Sequence, residues 1–422
     1  MLSADAADKI IAGLLPLKSS TVGCETVPLS QAAGRILARP IAGNQDIPHW
    51  DNSAMDGYAV RYADVQLASE TAPQKLEVIE TIPAGYQPQQ AIAPGQAARI
   101  FTGGMVPQGA DTIVIQENTQ SEGRHVAILA APDPNAFVRR QGAFYQAGEP
   151  LLPAGTRLGA PDVAVLATAQ CSVVPVYCQP RVAILSTGNE LVPPEQPLQP
   201  GQIVDSNQYA LSALVKDSGA IPIPLGIVPD APDALKQAIA TALAQADVVL
   251  STGGVSVGDY DYVDQILAEL GAEIHIRAVA VKPGKPLTVA TVASAASTTS
   301  GEQASRQLYF GLPGNPVSSL VSFWRFVQPA LRRLSGRRDG WGPTFLPATT
   351  LQALKAGGQR ETYLWGKTTV GAAGFEFRLS SGSHSSGNLV NLSQTNALAR
   401  VPRGETHIAA GQQIQVMLVG AI

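Results

Sequence analysis

At 422 residues the chain exceeds what one ordinary hydrophobic core supports, so it divides into several domains. Apolar residues make up 45% and charged residues 15%, with 40 Gly and 32 Pro, which describes a globular, turn-rich protein and excludes a disordered one. The net charge of -4, with no long Lys/Arg run, excludes a nucleic-acid track.

The chain opens MLSADAADKII, with acids and no long apolar core, and no apolar run of about 18 residues follows. A cytoplasmic protein with neither signal peptide nor membrane span is expected. Cys24, Cys171 and Cys178 are too few and wrongly spaced for a disulfide framework or a zinc site, and the histidines show no HxH or HExxH pattern.

Ile10, Ile11, Leu14 and Leu15 recur at helical spacing up to Pro16, and a second short helix is expected around residues 29–37; the pair reads as a peripheral element. From Asp46 the texture changes to short alternating runs, KLEVIE (75–80), ARIF (98–101), DTIVIQE (111–117) and HVAIL (125–129), which predict a small β-rich domain up to about Ala147. Within it lie WDNSAMDGYAVR (50–61) and Phe101-Thr102-Gly103-Gly104. Asp51 and Asp56 there read either as turn residues or as functional acids. PDVAVLATAQ (161–170) predicts a helix packing back on the first 40 residues, which makes the β domain an insertion.

The most regular region follows. Apolar runs at 182–185, 223–228 and 248–251 alternate with helical patterns at 208–218, around Leu235, Ile239 and Leu243, and at 262–270, which predicts a mainly parallel sheet sandwiched by helices. Ser186-Thr187-Gly188 and Ser251-Thr252-Gly253 repeat one strand-end device. The stretch 293–300 is Ala/Ser/Thr-rich and reads as a variable hairpin or loop. Beyond it, Asn315 suits an N-cap and Pro316 the first position of a long apolar helix over 317–334, whose N-terminus would face an anion. Residues 336–422 alternate in short runs with Gly and Pro breaks, which fits a small β-barrel or sandwich.

In an open α/β sheet, ligands bind beyond the carboxyl ends of the strands. The loops there carry Glu190, Asp205, Asp230, Asp259 and Asp261 together with Lys282 and Lys285. Carboxylates with lysines suit Mg2+ bridging phosphate oxygens, hence phosphate-ester or anhydride chemistry. The same charges also read as solvated strand ends, and Asp261 as a helix cap. A P-loop is excluded because Pro286 follows Gly284-Lys285 where a hydroxyl is needed. No GxGxxG, GxSxG or Cys/His pairing argues for a dinucleotide enzyme or an acyl hydrolase.

Taken in order, DNSAMDGYAVR (51–61), FTGGMVPQGAD (101–111), STGNEL (186–191), GQIVDSN (201–207), STGGVSVGDYDY (251–262), KPGKP (282–286) and LPGNPVS (312–318) resemble the molybdopterin molybdenumtransferase family, which includes the E domain of gephyrin. The resemblance implies a multidomain α/β and β protein. Its parts are a helical/β segment (1–45 and 148–178), an inserted β-rich domain (46–147), a three-layer α/β molybdopterin-binding catalytic domain (179–335) and a C-terminal β-barrel (336–422). The implied reaction inserts molybdate into adenylylated molybdopterin, releasing AMP and molybdenum cofactor, with Mg2+ and in a homodimer with shared active sites.

Carried over by position, the family's catalytic roles fall on Asp56, Thr102, Glu190, Asp230 and Asp261, with Glu190 and Asp261 as Mg2+ ligands. Substrate contacts fall on Ser186, Thr187 and Gly188; on Asp205, Ser206 and Asn207; and on Thr252, Gly253 and Gly254. They continue through Lys282 and Lys285, Pro313, Gly314, Asn315 and Pro316, and Arg360. The chain departs from the family at Ala143 and Phe144, where acids are common, and at Val390 and Asn391, where serines are common. The alternatives are molybdopterin adenylyltransferase, whose proteins are usually the α/β domain alone, and a scaffold without turnover.

Overall fold

The computed structural model describes residues 1–15, 23–254, 262–293 and 306–422. Its centre is a six-stranded sheet in the order Ile221–Val228, Arg181–Thr187, Val248–Thr252, Arg306–Leu312, Pro286–Ala293 and Glu273–Ala278. The first four strands are parallel, and Pro286–Ala293 runs against both of its neighbours. Successive side chains of a strand point to opposite faces, and the two cores follow that alternation. Val182, Ile184, Val248, Leu250, Leu308 and Phe310 enter one core. Ala183, Leu185, Val249 and Tyr309 enter the other, beneath the Pro232–Gln245 and Val263–Glu269 helices. Runs buried on both faces explain why these strands read as continuously apolar.

The helix Ala4–Leu14 differs from the expected peripheral pair. Ala4, Ala7 and Ile11 pack into the first core of the α/β domain, and Asp8 accepts two hydrogen bonds from Arg325 at 2.6 and 2.7 Å. The expected second helix is a single 3-10 turn, Leu29–Gln31, because Gly34 turns the chain at φ +79°. The long helix expected over 317–334 comes in three pieces, Pro316–Ser322, a π-helical turn Phe323–Val327, and Gln328–Leu334. Pro329 lacks the N–H that would continue the regular ladder, and the wider turn precedes it.

Cys24–Pro28 pairs antiparallel with Val173–Tyr177, and Ile41–Ala42 with Pro150–Leu152. The chain therefore leaves and re-enters side by side, with a β unit between the two ribbons. That unit is a curled sheet in the order Thr112–Ile115, Gly57–Val60, Gln96–Ile100, Gln74–Ile82, His125–Ile128 and Thr119–Glu122. Each expected run, 75–80, 98–101, 111–117 and 125–129, overlaps one of its strands, the third ending at Ile115 where a 3-10 turn, Gln116–Asn118, begins.

In the C-terminal region Glu361–Gly371, Gly374–Leu379, Phe345–Thr350, Gln413–Leu418 and Ala397–Val401 close into a five-stranded barrel, the last strand pairing back onto the first. Closure leaves no free sheet edge among these strands. A short piece of the α/β domain, Val281–Lys282, adds to the barrel in parallel with Glu361 and Thr362.

Candidate functional site

Four parallel strands end on one edge of the sheet, which sets their loops side by side. Ser186 is in register with Thr252, Thr252 with Leu312, and Thr187 with Val228. Ser186, Thr187, Ser251 and Thr252 are buried there. The Thr252 hydroxyl donates to Ser186 Oγ at 3.2 Å, Thr187 Oγ1 donates to the Thr252 carbonyl at 3.4 Å, and Ser251 shares a hydrogen bond with the Tyr309 hydroxyl. Ser186, Thr187 and Thr252, expected as substrate contacts, thus tie the strand ends together. Gly253 sits at φ +88°, and a Cβ on it would lie 2.4 Å from the Thr187 carbonyl oxygen, so only glycine lets the two loops pass.

The acids differ in setting. The exposed Glu190 carboxylate folds back over Gly188, its Oε2 2.7 Å from where a Cβ there would sit. The Asp230 N–H donates to Asn189 Oδ1 at 3.1 Å, so the loops carrying Glu190 and Asp230 are joined. Asp205 is buried; its Oδ1 accepts from the Gln208 N–H at 3.2 Å, at the start of the Asn207–Asp217 helix, while Oδ2 has no partner. Ser206 occupies the N-cap position without a side-chain bond. Asp259 and Asp261, and with Asp261 one of the two expected Mg2+ ligands, lie outside the described residues. Among the described residues no three His, Cys, Asp or Glu side chains cluster as metal ligands.

The Pro316–Ser322 helix is where separate motifs meet. Asn207 Nδ2 donates to the Gly314 carbonyl at 2.8 Å, and Gly314 lies against Gly253, a Cβ on it falling 3.6 Å from Gly253 Cα. Asn315 and Pro316 take the expected N-cap and first helical positions, but the Asn315 side chain makes no cap bond. Instead the Val317 N–H donates to the Ser386 carbonyl at 3.1 Å, so a loop of the C-terminal barrel occupies part of the expected anion position. From the other side comes KPGKP: Gly284, at φ +111°, packs so closely that a Cβ would lie 2.7 Å from Ser322 Oγ. Lys282 is exposed and Lys285 half-buried, and Arg360 reaches the same loop by donating to the Val281 carbonyl at 3.3 Å.

Sequence reasoning missed the bracing of the serine-rich loop. Asn391 Nδ2 donates to the carbonyls of Ser381 and Ser383 at 3.2 and 2.8 Å, and its Oδ1 accepts from the Trp365 indole at 2.8 Å. His384 packs against Trp365 with centroids 4.3 Å apart and the rings tilted by 43°, and bonds to the Ser380 carbonyl at 3.0 Å. Burial pushes its pKa below the ordinary histidine value. Asn391 thus holds the loop's shape; the His and Asn within a Ser/Gly run were the available signal.

In the inserted domain, Asp56 Oδ1 accepts from both the N–H and the hydroxyl of Thr102, each at 2.7 Å. Those two bonds, the backbone one first, hold the Asp56 carboxyl below its ordinary pKa. Asp51 instead accepts from Arg140 at 2.6 Å and from the Gln141 N–H at 2.7 Å, a structural pairing. Met55 and Phe101, the chain neighbours of Asp56 and Thr102, are exposed, as are Trp50 and Phe144. Among the described residues, no hydrogen bond joins Asp56 or Thr102 to the α/β domain.

Comparison with known proteins agrees in order and extent. Residues 2–169 match the MoeA N-terminal region (domain I and II), 183–333 a probable molybdopterin binding domain, and 347–419 the MoeA C-terminal region (domain IV). A molybdopterin molybdenumtransferase of Nostoc sp. is 56% identical over 97% of this chain and 92% of its own length. One from Haemophilus influenzae is 34% identical over 99% of this chain and 98% of its own. A crystal structure of a molybdopterin biosynthesis MoeA protein from Pyrococcus horikosii superposes with a TM-score of 0.81 at 29% identity, covering 100% of both chains.

Proposed function

The chain belongs to the molybdopterin molybdenumtransferase family, a transferase of molybdenum cofactor biosynthesis, and on that premise we propose that it inserts molybdate into adenylylated molybdopterin and releases AMP. The observation that carries this reading is the meeting of motifs on the Pro316–Ser322 helix. Asn207, Gly253, Gly284 and Ser386 come from four separate stretches and all touch that helix or the loop before it. A site assembled in this way holds a ligand with several anionic groups at fixed spacing.

Each residue has a distinct task in this proposal. Lys282, Lys285 and Arg360 neutralise the phosphate and molybdate oxygens, the lysines as point charges and the arginine as a planar fork. Glu190, with Asp261, holds Mg2+, and Asp230 stands beside Glu190 through Asn189. A donor set made only of carboxylate oxygens suits Mg2+ and no soft metal. The ion supplies charge neutralisation at the phosphoanhydride. Asp56, kept ionised by Thr102, completes the cleft from a second copy of the chain in a homodimer. The exposed Met55 and Phe101, next in the chain to Asp56 and Thr102, support a covered surface there. No helix among the described residues is long and apolar enough to cross a membrane, and we place the reaction in the cytoplasm, where its phosphorylated substrate is retained.

Purified protein given adenylylated molybdopterin is expected to release AMP when molybdate is added. AMP release that ignores molybdate, AMP transfer in the reverse sense only, or no release at all would each overturn the assignment. The second outcome would favour the adenylyltransferase and the third a scaffold.

A further inference from the structure

On the edge of the central sheet opposite the loops described above, a cavity of about 380 Å3 opens between the ribbon segment and the α/β domain. It lies where strands begin: Gln179 and Gly219, which line it, precede the Arg181–Thr187 and Ile221–Val228 strands. A strand of that length rises about 3.3 Å per residue, so the cavity sits about 20 Å from Gly188. It is a separate place from the catalytic cleft.

Its lining is strongly cationic. Arg157, Lys216, Arg332 and Arg337 border it, with Asp217 as the one lining carboxylate. None of these four cations has an ion-pair partner among the described residues, whereas Arg35 in the same wall is paired with Glu25. The simplest structural role is to offset the negative ends of the two helices that finish here, Asn207–Asp217 and Gln328–Leu334. Each end carries about half a unit of negative charge, so both together account for about one cation and Asp217 for another. About two positive charges remain, partly desolvated, since Arg332 and Arg337 are half-buried. Burial, then repulsion from Arg337 and Arg157, lowers the pKa of Arg332; Arg337 is lowered by burial and by Arg157. Like charges held together at such a cost call for a counter-charge.

We propose that this cavity binds a phosphate-type dianion, either inorganic phosphate or the terminal group of a small phosphate monoester, gripped by Arg157, Arg332 and Arg337. Guanidinium forks match the paired oxygens of a phosphate, and the volume exceeds what one phosphate fills, leaving room for a short organic stem.

Calorimetric titration of the full chain at constant ionic strength tests this with two probes, inorganic phosphate and glycerol phosphate. Because the KPGKP loop also attracts phosphate, the variant Lys282→Ala/Lys285→Ala is titrated in parallel and is expected to keep one binding event. The variant Arg157→Gln/Arg332→Gln should weaken that event by about tenfold or more, and Arg157→Lys/Arg332→Lys should weaken it less, keeping charge without the fork. Should the glutamine pair fail to fold, Arg337→Gln and the lysine pair carry the test. Tighter binding of one probe identifies the source of the phosphate group. Isotherms unchanged by every arginine substitution, or no event left in the Lys282/Lys285 variant, would overturn the proposal. The readout is binding, so failure here leaves the transferase assignment untouched.

Discussion

Glu190 and His384 illustrate how differently two polar residues near the same cleft are used. Glu190 is exposed and its side chain bonds to nothing among the described residues, so the fold does not need its charge. Glu190→Gln is therefore expected to lower AMP release about a hundredfold or more while leaving the unfolding midpoint essentially unchanged. A variant that unfolds early, or one that turns over normally, would assign Glu190 to structure or to solvent. His384 is the reverse case, packed on Trp365 with its pKa depressed by burial. Where the folded pKa lies below the unfolded value of about 6.5, the unfolded chain binds more protons, so stability is lost as pH falls from about 6.5 through the folded pKa. Urea midpoints measured down that range should fall, and His384→Gln should flatten the slope. An unchanged slope would mean the ring is already charged in the fold. Asp56 has the same sign in a lower window, since its depressed pKa contributes stability above about pH 4 that is lost as pH falls through the folded value.

The LPGNP loop and its helix act as one element. The Gly314 carbonyl is held by Asn207 at 2.8 Å, and the first turn is capped by Ser386 from another domain. Asn207→Ala should remove the one hydrogen bond that, among the described residues, fastens this loop to the Asn207–Asp217 helix, costing about 1–3 kcal/mol where the carbonyl is left without a donor. The measurable outcome is a lower urea midpoint together with a raised KM for adenylylated molybdopterin. Loss of stability with an unaltered KM would show that the loop's position does not matter to binding. Gly284→Ala probes the same helix from its other side. At φ +111° and 2.7 Å from Ser322 Oγ, an alanine should cost about 1–3 kcal/mol in strain. A midpoint equal to that of the unaltered protein would show that the lysine loop relaxes freely.

For the whole molecule the question is whether Asp56 and Thr102 serve the cleft of their own chain or, as proposed, that of a second copy. They bind each other within the inserted domain, next in the chain to exposed Met55 and Phe101. In a shared-site homodimer, Asp56→Asn and Glu190→Gln subunits, each inactive alone, should recover activity on mixing. Half of the randomly exchanged dimers are mixed and each has one intact cleft, so about a quarter of wild-type sites should return. No recovery after demonstrated exchange, or a monomer by sedimentation, would place the whole site within one chain.

Much of this architecture was legible in the sequence because it is written locally. The continuous apolar runs at 182–185, 223–228 and 248–251, the Thr-Gly strand ends and the Asn315-Pro316 helix start depend on residues a few positions apart, and each falls where the pattern puts it. The motifs that mark the family are likewise contiguous. What only the tertiary structure decided is which partner each polar or apolar group finds. Asp205 reads as a ligand contact yet spends one oxygen on the start of a helix, and the Thr252 hydroxyl meets Ser186 across a strand pair. The apolar stripe of Ala4–Leu14 docks on the α/β core, not on its sequence neighbours. The Ser386 carbonyl takes the Val317 N–H that sequence reasoning reserved for an anion. Such pairings join residues up to hundreds of positions apart, and the periodicity of a single segment holds no record of the surface it will meet.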